Sequence, residues 1–426
     1  MKSASLAGLV APRDPSVQAA YVHIPFCRRR CFYCDFPISV LGDRAHGRTS
    51  GSVAEYVVQL CQEITATPVA NPQPLTSVFF GGGTPSLLAA EQVATILDTL
   101  HRHLAIAPSA EISIEMDPGT FDRAQIQGYR AAGITRVSLG VQAFQDELLQ
   151  LCGRSHRCAD IAPAVELVRA AGIDNLSLDL ISGLPQQTSD QWQASLQQAI
   201  AIAPAHLSCY DLVLEPVTPF GKQYQPGEQP LPDDETTADF YRQAQATLTD
   251  AGWQHYEISN YARSGYQCQH NRTYWQNQPY YGFGMGATSY VHGQRYARPR
   301  TRREYYTWVA EFQAAEGQLC APATPPAEWI LETLMLGLRL SEGVALGKFD
   351  NETRDRLHAT LTPYAQQGWV RLSEPTGQAR VWPPLAPLPH DTHLQLSDPE
   401  GFLFSNTILA ALFADLGVEI GAETGG

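Results

Sequence analysis

Six short runs rich in Val, Ile, Leu, Phe and Tyr recur along the first half of the chain, separated by amphipathic stretches. Runs of this length and composition are typical of buried β-strands. They are Ala20–Ile24, Leu75–Phe80, Ala110–Met116, Arg136–Val141, Asn175–Ile181 and His206–Leu214. The helical stretches are Ala54–Thr65, Ala89–Leu104, Arg123–Ala132, Ala159–Ala171 and Ser189–Ile202. This alternation predicts a parallel sheet covered by helices and closed as a barrel or partial barrel.

The regular alternation ends after Val217. The stretch Thr218–Asp234 is dense in Pro, Gly and Gln, which predicts a loop or linker. Beyond it we predict a helix, an aromatic-rich segment and, from about Glu328, a compact region of short helices and strands. Its markers are a helix over Glu235–Ala251, the aromatic segment Trp253–Tyr296, helices over Glu328–Leu340 and Asn406–Phe413, and strand starts near Val344 and Val370.

The chain length suggests more than one domain, because 426 residues exceed what one hydrophobic core usually serves. We therefore predict an α/β protein with a partial (β/α)6 TIM-like barrel and a smaller, winged-helix-like C-terminal α/β domain. The expected divisions are a short flexible N-terminus at 1–18, the barrel at 19–235, a connecting region at 236–325 and the C-terminal domain at 326–426.

Composition narrows the class of partner. The chain carries 43 acidic and 29 basic residues, a formal charge of -14, which disfavours a surface that follows nucleic-acid phosphates. The apolar run within Met1–Ser16 is too short for a signal peptide or a membrane span. We expect a cytoplasmic protein without a transmembrane segment and without a nucleic-acid partner.

Three of the nine cysteines, Cys27, Cys31 and Cys34, fall within eight residues in the spacing C-x3-C-x2-C. Such clustering in a chain without a secretory signal favours metal binding or catalysis over disulfides. Three thiolates around an iron–sulfur cubane leave one iron open to another ligand. The alternatives are a zinc site missing one ligand, or unrelated thiols. We read the other six as small buried hydrophobes: Cys61, Cys152, Cys158, Cys209, Cys268 and Cys320.

The unusual polar and glycine residues lie just past the ends of the predicted strands. Cys27 follows the first strand, Gly81–Pro85 the second and Glu115–Pro118 the third, while Gln142 follows the fourth and Asp179 lies near the end of the fifth. Because the carboxyl ends of barrel strands converge on one mouth, these segments are expected to meet in one pocket.

The segment Tyr21–Phe36 resembles the cluster-binding loop of the radical S-adenosylmethionine (SAM) superfamily. In that superfamily the cysteines hold a [4Fe–4S] cluster whose open iron binds SAM, and electron transfer splits SAM into methionine and a 5′-deoxyadenosyl radical. Gly82-Gly83-Thr84-Pro85 resembles the superfamily motif that contacts the SAM amino group. The resemblance implies two cofactors, the [4Fe–4S] cluster on Cys27, Cys31 and Cys34, and SAM.

Over essentially the whole chain, the sequence is similar to one branch: the oxygen-independent coproporphyrinogen III oxidases and their HemW-type relatives. The resemblance implies that the last domain is HemN-like. The resemblance also implies how SAM is bound. Carboxylates would contact the ribose hydroxyls and the amino group of SAM, an arginine its carboxylate, and a glutamine its ribose or base. The implied SAM contacts are Tyr21, Gly82, Gly83, Thr84, Glu115, Gln142, Arg154 and Asp179.

Three features bear on which member of the branch the chain resembles. The oxidases have a further cysteine at the position where this chain has Phe36. They also have a long segment ahead of the cysteine motif, whereas only twenty residues precede Tyr21 in this chain. His270-Asn271-Arg272-Thr273-Tyr274-Trp275 matches the H-N-x-x-Y-W pattern associated with heme in the HemW group. An imidazole suits heme iron and aromatic rings pack on porphyrin. Taken alone, the same residues could form a hydrogen-bonded corner that packs the two domains together.

The sequence thus favours a HemW-type heme chaperone that binds the cluster, SAM and heme, a role in porphyrin metabolism. His270, Asn271, Tyr274 and Trp275 would contact the heme. Implied partners are acceptor hemoproteins, with membrane-associated respiratory proteins as candidates, and an electron donor. The alternatives are a coproporphyrinogen III oxidase, or a radical SAM methyltransferase, for which the spacing of Cys152 and Cys158 offers no support.

Overall fold

The structure is a computed structural model, and it describes residues 16–42, 47–69, 73–318, 321–322 and 324–416. Most of the N-terminal segment predicted to be flexible, residues 1–15, lies outside the described residues, as does Cys320.

The described residues form a large α/β body followed by a smaller one. The strands are β1 (Ala19–Ile24), β2 (Phe26–Cys27), β3 (Ser39–Val40), β4 (Leu75–Gly82), β5 (Ile106–Met116), β6 (Arg136–Gln142), β7 (Asn175–Ser182), β8 (His206–Asp211), β9 (Gln254–Glu257), β10 (Asn260–Ala262), β11 (Tyr281–Phe283), β12 (Thr288–Val291), β13 (Gln294–Ala297), β14 (Val344–Ala345), β15 (Val370–Ser373), β16 (Ala379–Arg380) and β17 (His393–Leu396). The helices are α1 (Gly51–Ala66), α2 (Ala90–Leu104), α3 (Arg123–Ala132), α4 (Asp146–Leu151), α5 (Ile161–Ala170), α6 (Ser189–Ile202), α7 (Pro219–Gln223), α8 (Asp234–Asp250), α9 (Gln269–Trp275), α10 (Arg302–Ala314), α11 (Pro326–Gly337), α12 (Asn351–Gln366), α13 (Glu400–Leu403) and α14 (Ser405–Leu416).

The main sheet has the strand order β11-β1-β4-β5-β6-β7-β8-β10-β9. The six predicted strands are β1 and β4 to β8, and they are parallel neighbours in chain order. The parallel barrel sheet is therefore confirmed. β11 extends it in parallel beside β1, whereas β10 and β9 extend it in antiparallel fashion beside β8. Both additions come from the aromatic segment, for which we predicted no strands.

The predicted helices between the strands are confirmed as α1, α2, α3, α5 and α6. Several begin at a side chain that accepts a hydrogen bond from the first helical turn: Ser50 in α1, Asp122 in α3 and Thr188 in α6. Their apolar faces pack on the strands, which carry a continuous buried core. The helices do not cover the carboxyl ends of β1 and β4 to β8, which we call the mouth of the barrel. In barrels of this type, the mouth forms the functional site.

The smaller body has its own apolar core, built from α11, α12, α14 and the sheet β14-β17-β15-β16. Helix α12 was not predicted from sequence, because its face toward that core is narrow and Pro363 lies inside it. Polar contacts join the two bodies: Arg242 pairs with Glu400 at 2.7 Å, and His255 Nδ1 lies 2.9 Å from a carboxylate oxygen of Asp398. No helix among the described residues is both long and apolar enough to cross a membrane.

Candidate functional site

A cavity of about 430 Å³ lies at the mouth of the barrel. Segments from six strands contribute to its wall, which explains why sequence-distant residues meet there. With the exception of Tyr21, every residue predicted for the cluster or SAM lines this cavity: Cys27, Cys31, Cys34, Gly82, Gly83, Thr84, Glu115, Gln142, Arg154 and Asp179.

The cysteines lie on one loop, Cys27–Phe36, which we call the cluster loop. It starts at β2, which pairs with β3 and so returns the chain to the barrel. The Cys34 amide donates to the Cys31 carbonyl at 3.2 Å, and the Phe32 amide donates to the Cys152 carbonyl at 3.0 Å. The loop is therefore tied both to itself and to the segment after α4, and its three thiols face the same cavity.

The three thiols line one cavity, as the ligands of one cubane would, since each thiolate there binds a different iron. Among the described residues, no three His, Cys, Asp or Glu side chains converge closely enough to hold one metal ion. Burial raises the pKa of the Cys27 thiol to about 12, and the Thr84 hydroxyl, 3.6 Å from its sulfur, partly offsets that rise. Iron binding would release the Cys27 proton.

The glycine run Gly81–Gly83, at the end of β4, passes directly against β1. Gly82 has φ +109°, and a Cβ there would lie 2.4 Å from the His23 ring. A Cβ on Gly83 would lie 2.7 Å from the Phe26 carbonyl oxygen. His23 in turn bonds the Tyr21 hydroxyl at 3.0 Å through Nδ1 and the Pro37 carbonyl at 2.9 Å through Nε2. Only glycine allows this approach, which brings the backbone of the run to the cavity while the Gly83 amide donates to the Ile24 carbonyl at 2.9 Å.

Two half-buried carboxyl groups, those of Glu115 and Asp179, line the cavity. Burial, and to a lesser extent the charge of Asp179, raises the pKa of Glu115 to about 8. A hydrogen bond from the Gly82 amide, at 3.0 Å, acts in the opposite direction and lowers this pKa. Burial also raises the pKa of Asp179, although Ser138 donates to both of its oxygens at 2.9 Å. Like charges in a buried site disfavour double ionisation. A cationic ligand such as SAM would relieve that repulsion.

Arg154 lies between the cluster loop and β6. Its guanidinium pairs with Asp117, donates to the Gly140 carbonyl at 2.8 Å and lies 3.6 Å from the Cys31 sulfur. Asp117 was not among the predicted site residues, although it follows the third strand directly. Because Arg154 is held beside a cluster thiol, its positive charge favours an anionic cluster there. Its predicted contact with the SAM carboxylate stays a prediction.

Gln142 reaches the cavity through an unusual backbone. Its φ is +67°, and the β6–β7 pairing has a bulge between Gly140 and Gln142. Left-handed backbone at a residue other than glycine is unfavourable and is common at functional sites. The bulge re-aims the side chain at the end of β6, as the predicted SAM contact requires.

A second cavity, of about 210 Å³, lies beside the first and shares six residues with it: Phe36, Gly82, Glu115, Ser138, Asp179 and Tyr210. Tyr21 lines this inner cavity, together with three residues of the H-N-x-x-Y-W motif: His270, Asn271 and Tyr274. The structure thus places the motif inside the barrel, close to the SAM candidates.

His270 is 1% exposed and offers no free ring nitrogen. Its Nδ1 lies 3.1 Å from the Ser77 hydroxyl and its Nε2 lies 2.8 Å from the Tyr274 hydroxyl. The ring stacks on Phe79 at 5.3 Å and on Tyr21 at 6.3 Å, between centroids. Where the motif predicts an imidazole available to iron, the structure has a buried imidazole with both nitrogens bonded.

Trp275 does not join the other motif residues at the inner cavity. Its ring packs against the Arg339 guanidinium, 4.2 Å from the centroid, while Arg272 pairs with Glu342. Helix α9 therefore has one face in the barrel and one against the smaller body. This geometry matches the alternative of a hydrogen-bonded corner between the domains.

The end of β8 and the loop after it also reach the cavity, although no site residue was predicted there. Tyr210 and Asp211 of β8 and Val213 and Glu215 of the loop line it. Their position at the end of the sixth predicted strand was the available signal, since every other strand end contributed a candidate.

Comparison with known proteins agrees with this geometry. The model of the Radical SAM superfamily matches residues 21–199, and that of the HemN C-terminal domain matches residues 325–375.

The relatives that match include "Heme chaperone HemW" from Synechocystis sp., which is 52% identical over 93% of this chain and 97% of its own length. "Heme chaperone HemW" from Bacillus subtilis is 35% identical over 84% of this chain and 94% of its own. Mouse "Radical S-adenosyl methionine domain-containing protein 1, mitochondrial" is 34% identical over 80% of this chain and 72% of its own length.

Among solved structures, the radical SAM coproporphyrinogen III oxidase HemN of Escherichia coli aligns with a TM-score of 0.74. The alignment covers 94% of this chain and 91% of the oxidase at 22% identity, which shows a shared fold.

Proposed function

Since this chain belongs to the radical SAM superfamily, and within it to the family of its HemW relatives, we propose that it is a heme chaperone. It would bind a [4Fe–4S] cluster, SAM and heme, and deliver heme to acceptor hemoproteins. The observation that carries the proposal is the mouth cavity, which the three cysteines line together with predicted SAM residues from four strand ends and Arg154.

The residues present fit both cofactors. Cys27, Cys31 and Cys34 would hold the cluster, and a reduced cluster with one open iron supplies the electron that cleaves SAM. Glu115 and Asp179 provide carboxyl groups suited to the SAM ammonium and ribose, Gln142 provides an amide, and the glycine run lines the same cavity.

Heme as cargo rests on the relatives' names and on residues of this chain. Phe36 occupies the position at which the oxidases carry a further cysteine, and its side chain is 54% exposed at the mouth. An apolar ring there suits a porphyrin face better than a redox role. The acceptor hemoproteins, an electron donor, and a cytoplasmic location belong to the same proposal.

Ligation of heme iron by His270 stays a prediction, and it carries a structural condition. Iron binds one ring nitrogen, so the hydrogen bond of that nitrogen, to Ser77 or to Tyr274, would have to break, while the other could remain.

Anaerobic incubation separates the chaperone from the oxidase. Reconstituted protein should bind hemin with a stable Soret band, and with SAM, reductant and coproporphyrinogen III it should form no protoporphyrinogen IX. Failure to bind hemin together with SAM-dependent formation of protoporphyrinogen IX would overturn the proposal in favour of the oxidase.

A further inference from the structure

Apolar side chains that are exposed gather around the mouth of the barrel. Twelve large hydrophobic side chains are exposed among the described residues, and half of them lie in just two segments. They are Phe32, Phe36 and Val40, in or just after the cluster loop, and Tyr210, Val213 and Val217, in or after β8. Such concentration marks a binding surface rather than scattered surface apolarity.

The two segments face each other. The Phe220 amide donates to the Phe32 carbonyl at 3.0 Å, and the rings of these residues meet edge to face at 6.1 Å. Phe36, Tyr210 and Val213 all line the mouth cavity, and we call these three residues the mouth patch. The patch is therefore continuous with the site of the cluster and SAM.

Positive charge is concentrated on one side of the mouth patch. On the side of the cluster loop, Arg29 lines the cavity, and Arg30 donates to the carbonyl oxygens of Cys34 at 3.0 Å and Phe36 at 3.2 Å. Arg300 donates to the Asp35 carbonyl at 3.0 Å. Three arginines on this side thus outnumber one carboxylate, Asp35, which also lines the cavity. On the opposite side, Asp211 and Glu215 line the cavity beside Val213.

We propose that heme docks on the mouth patch, with one porphyrin face over Phe36, Tyr210 and Val213. The proposal rests on the heme-chaperone function above and names the place where the cargo binds. Heme is a flat apolar disc with two carboxylates on one edge, which matches an apolar patch with cations along one rim. The propionates point toward Arg29, Arg30 and Arg300. Asp211 and Glu215 disfavour the reverse orientation by repulsion.

This site adjoins the one that the H-N-x-x-Y-W motif predicts, because Phe36 and Tyr210 also line the inner cavity that contains His270. The three residues of the mouth patch are exposed, whereas His270 is enclosed by Ser77, Tyr274 and Phe79. Docking at the mouth also places heme next to the cluster and SAM, so that occupancy of SAM can influence release of the cargo.

Hemin titration of the cluster-loaded protein tests the proposal. Val213→Glu and Arg29→Glu should each weaken binding by about tenfold or more, since one buries a charge under the porphyrin and the other repels the propionates. Matched controls, Val58→Glu on α1 and Arg371→Glu on β15, should bind like wild type. Val58 is 54% exposed, close to the 64% of Val213.

Heme dimethyl ester, which lacks the free carboxylates, isolates the role of the arginines. Wild type should bind the ester more weakly than hemin, and Arg29→Glu should lose that preference. Iron content and SAM binding of every variant must match wild type, so that a damaged cluster loop is not mistaken for a lost heme site.

Each other outcome has a defined meaning. If the mouth variants bind hemin like wild type while His270→Ala does not, the mouth site is wrong and the heme-chaperone function stands. If Val213→Glu changes self-association but not hemin affinity, the patch is an interface between two copies and the inference fails. If wild type binds no hemin, the proposed function itself fails.

Discussion

At the scale of single residues, protonation is the property that sequence could not supply. Glu115 was expected at the site from its place after the third strand, but its pKa depends on burial and on Asp179, which only the fold brings beside it. The same holds for His270. The motif identifies His270 from the sequence, but it does not predict the hydrogen bonds to Ser77 and Tyr274, which depend on how the barrel packs.

SAM binding should release protons at neutral pH. Because the pKa of Glu115 is about 8, its carboxyl group is largely protonated at pH 7 in the free protein, while SAM, a cation, favours the carboxylate. Affinity should therefore rise as pH increases toward 8 and level off above it. Calorimetric titration in two buffers of different ionisation enthalpy counts the protons. Equal release from wild type and Glu115→Gln would assign the protons elsewhere, with Asp179, whose pKa burial also raises, as the neighbouring carboxyl group.

His270→Ala should destabilise the barrel by about 2–4 kcal/mol, because it leaves a cavity and removes the partners of Ser77 and Tyr274. His292→Asn, at an exposed position with positive φ that asparagine tolerates, is the control. Thermal unfolding measures both. With heme on the mouth patch, the Soret band of bound heme should keep its position in His270→Ala. A shift in that variant alone would show that the imidazole ligates iron.

At the scale of elements, the strands and helices of the barrel followed from the sequence because each is a long, uninterrupted pattern. β9, β10 and β11 did not, since each is only three or four residues long and all lie in a segment of mixed aromatic and polar residues. The cluster loop could be predicted because its three cysteines are close together in the sequence. The shape of the mouth could not be predicted, because it depends on the segment after β8 reaching Phe32.

Gly82→Ala should disrupt the glycine run for two reasons, the positive φ of residue 82 and a steric clash with His23. An alanine Cβ would meet the His23 ring at 2.4 Å, and His23 supports the cluster loop through Pro37. Gly172→Ala is the matched control, since Gly172 also has positive φ, +75°, but nothing lies within 4 Å of its Cβ position. The control should lose about 1 kcal/mol of stability and keep its iron. The Gly82 variant should also lose iron or SAM affinity, and equal behaviour of the two would show that contact with His23 is unimportant.

At the scale of the whole molecule, a buried ion pair ties the far edge of the barrel to its helices. Glu63 on α1 and Arg298 lie 2.8 Å apart, both nearly inaccessible, and Glu63 also accepts from the Tyr305 hydroxyl at 2.6 Å and the Gly284 amide at 2.8 Å. These contacts join α1, α10 and the segment after β11. The sequence gives no sign of them, because the partners are more than two hundred residues apart.

Glu63→Ala should cost about 3–5 kcal/mol of unfolding free energy, since it leaves the Arg298 charge buried without its partner carboxylate. Glu55→Ala, at an exposed position on the same helix, should cost much less. Denaturant unfolding measures both variants. Similar losses would mean that water or a rearranged neighbour compensates Arg298.

Whether the mouth of the barrel holds a [4Fe–4S] cluster with one iron open to SAM is measured most directly by electron paramagnetic resonance of the reduced, anaerobically reconstituted protein. We predict a cluster signal that changes when SAM is added, and that is absent when Cys27, Cys31 or Cys34 is replaced by Ala but present in Cys61→Ala. A cluster signal retained in the three variants, or a wild-type signal unaltered at saturating SAM, would contradict this assignment of the site.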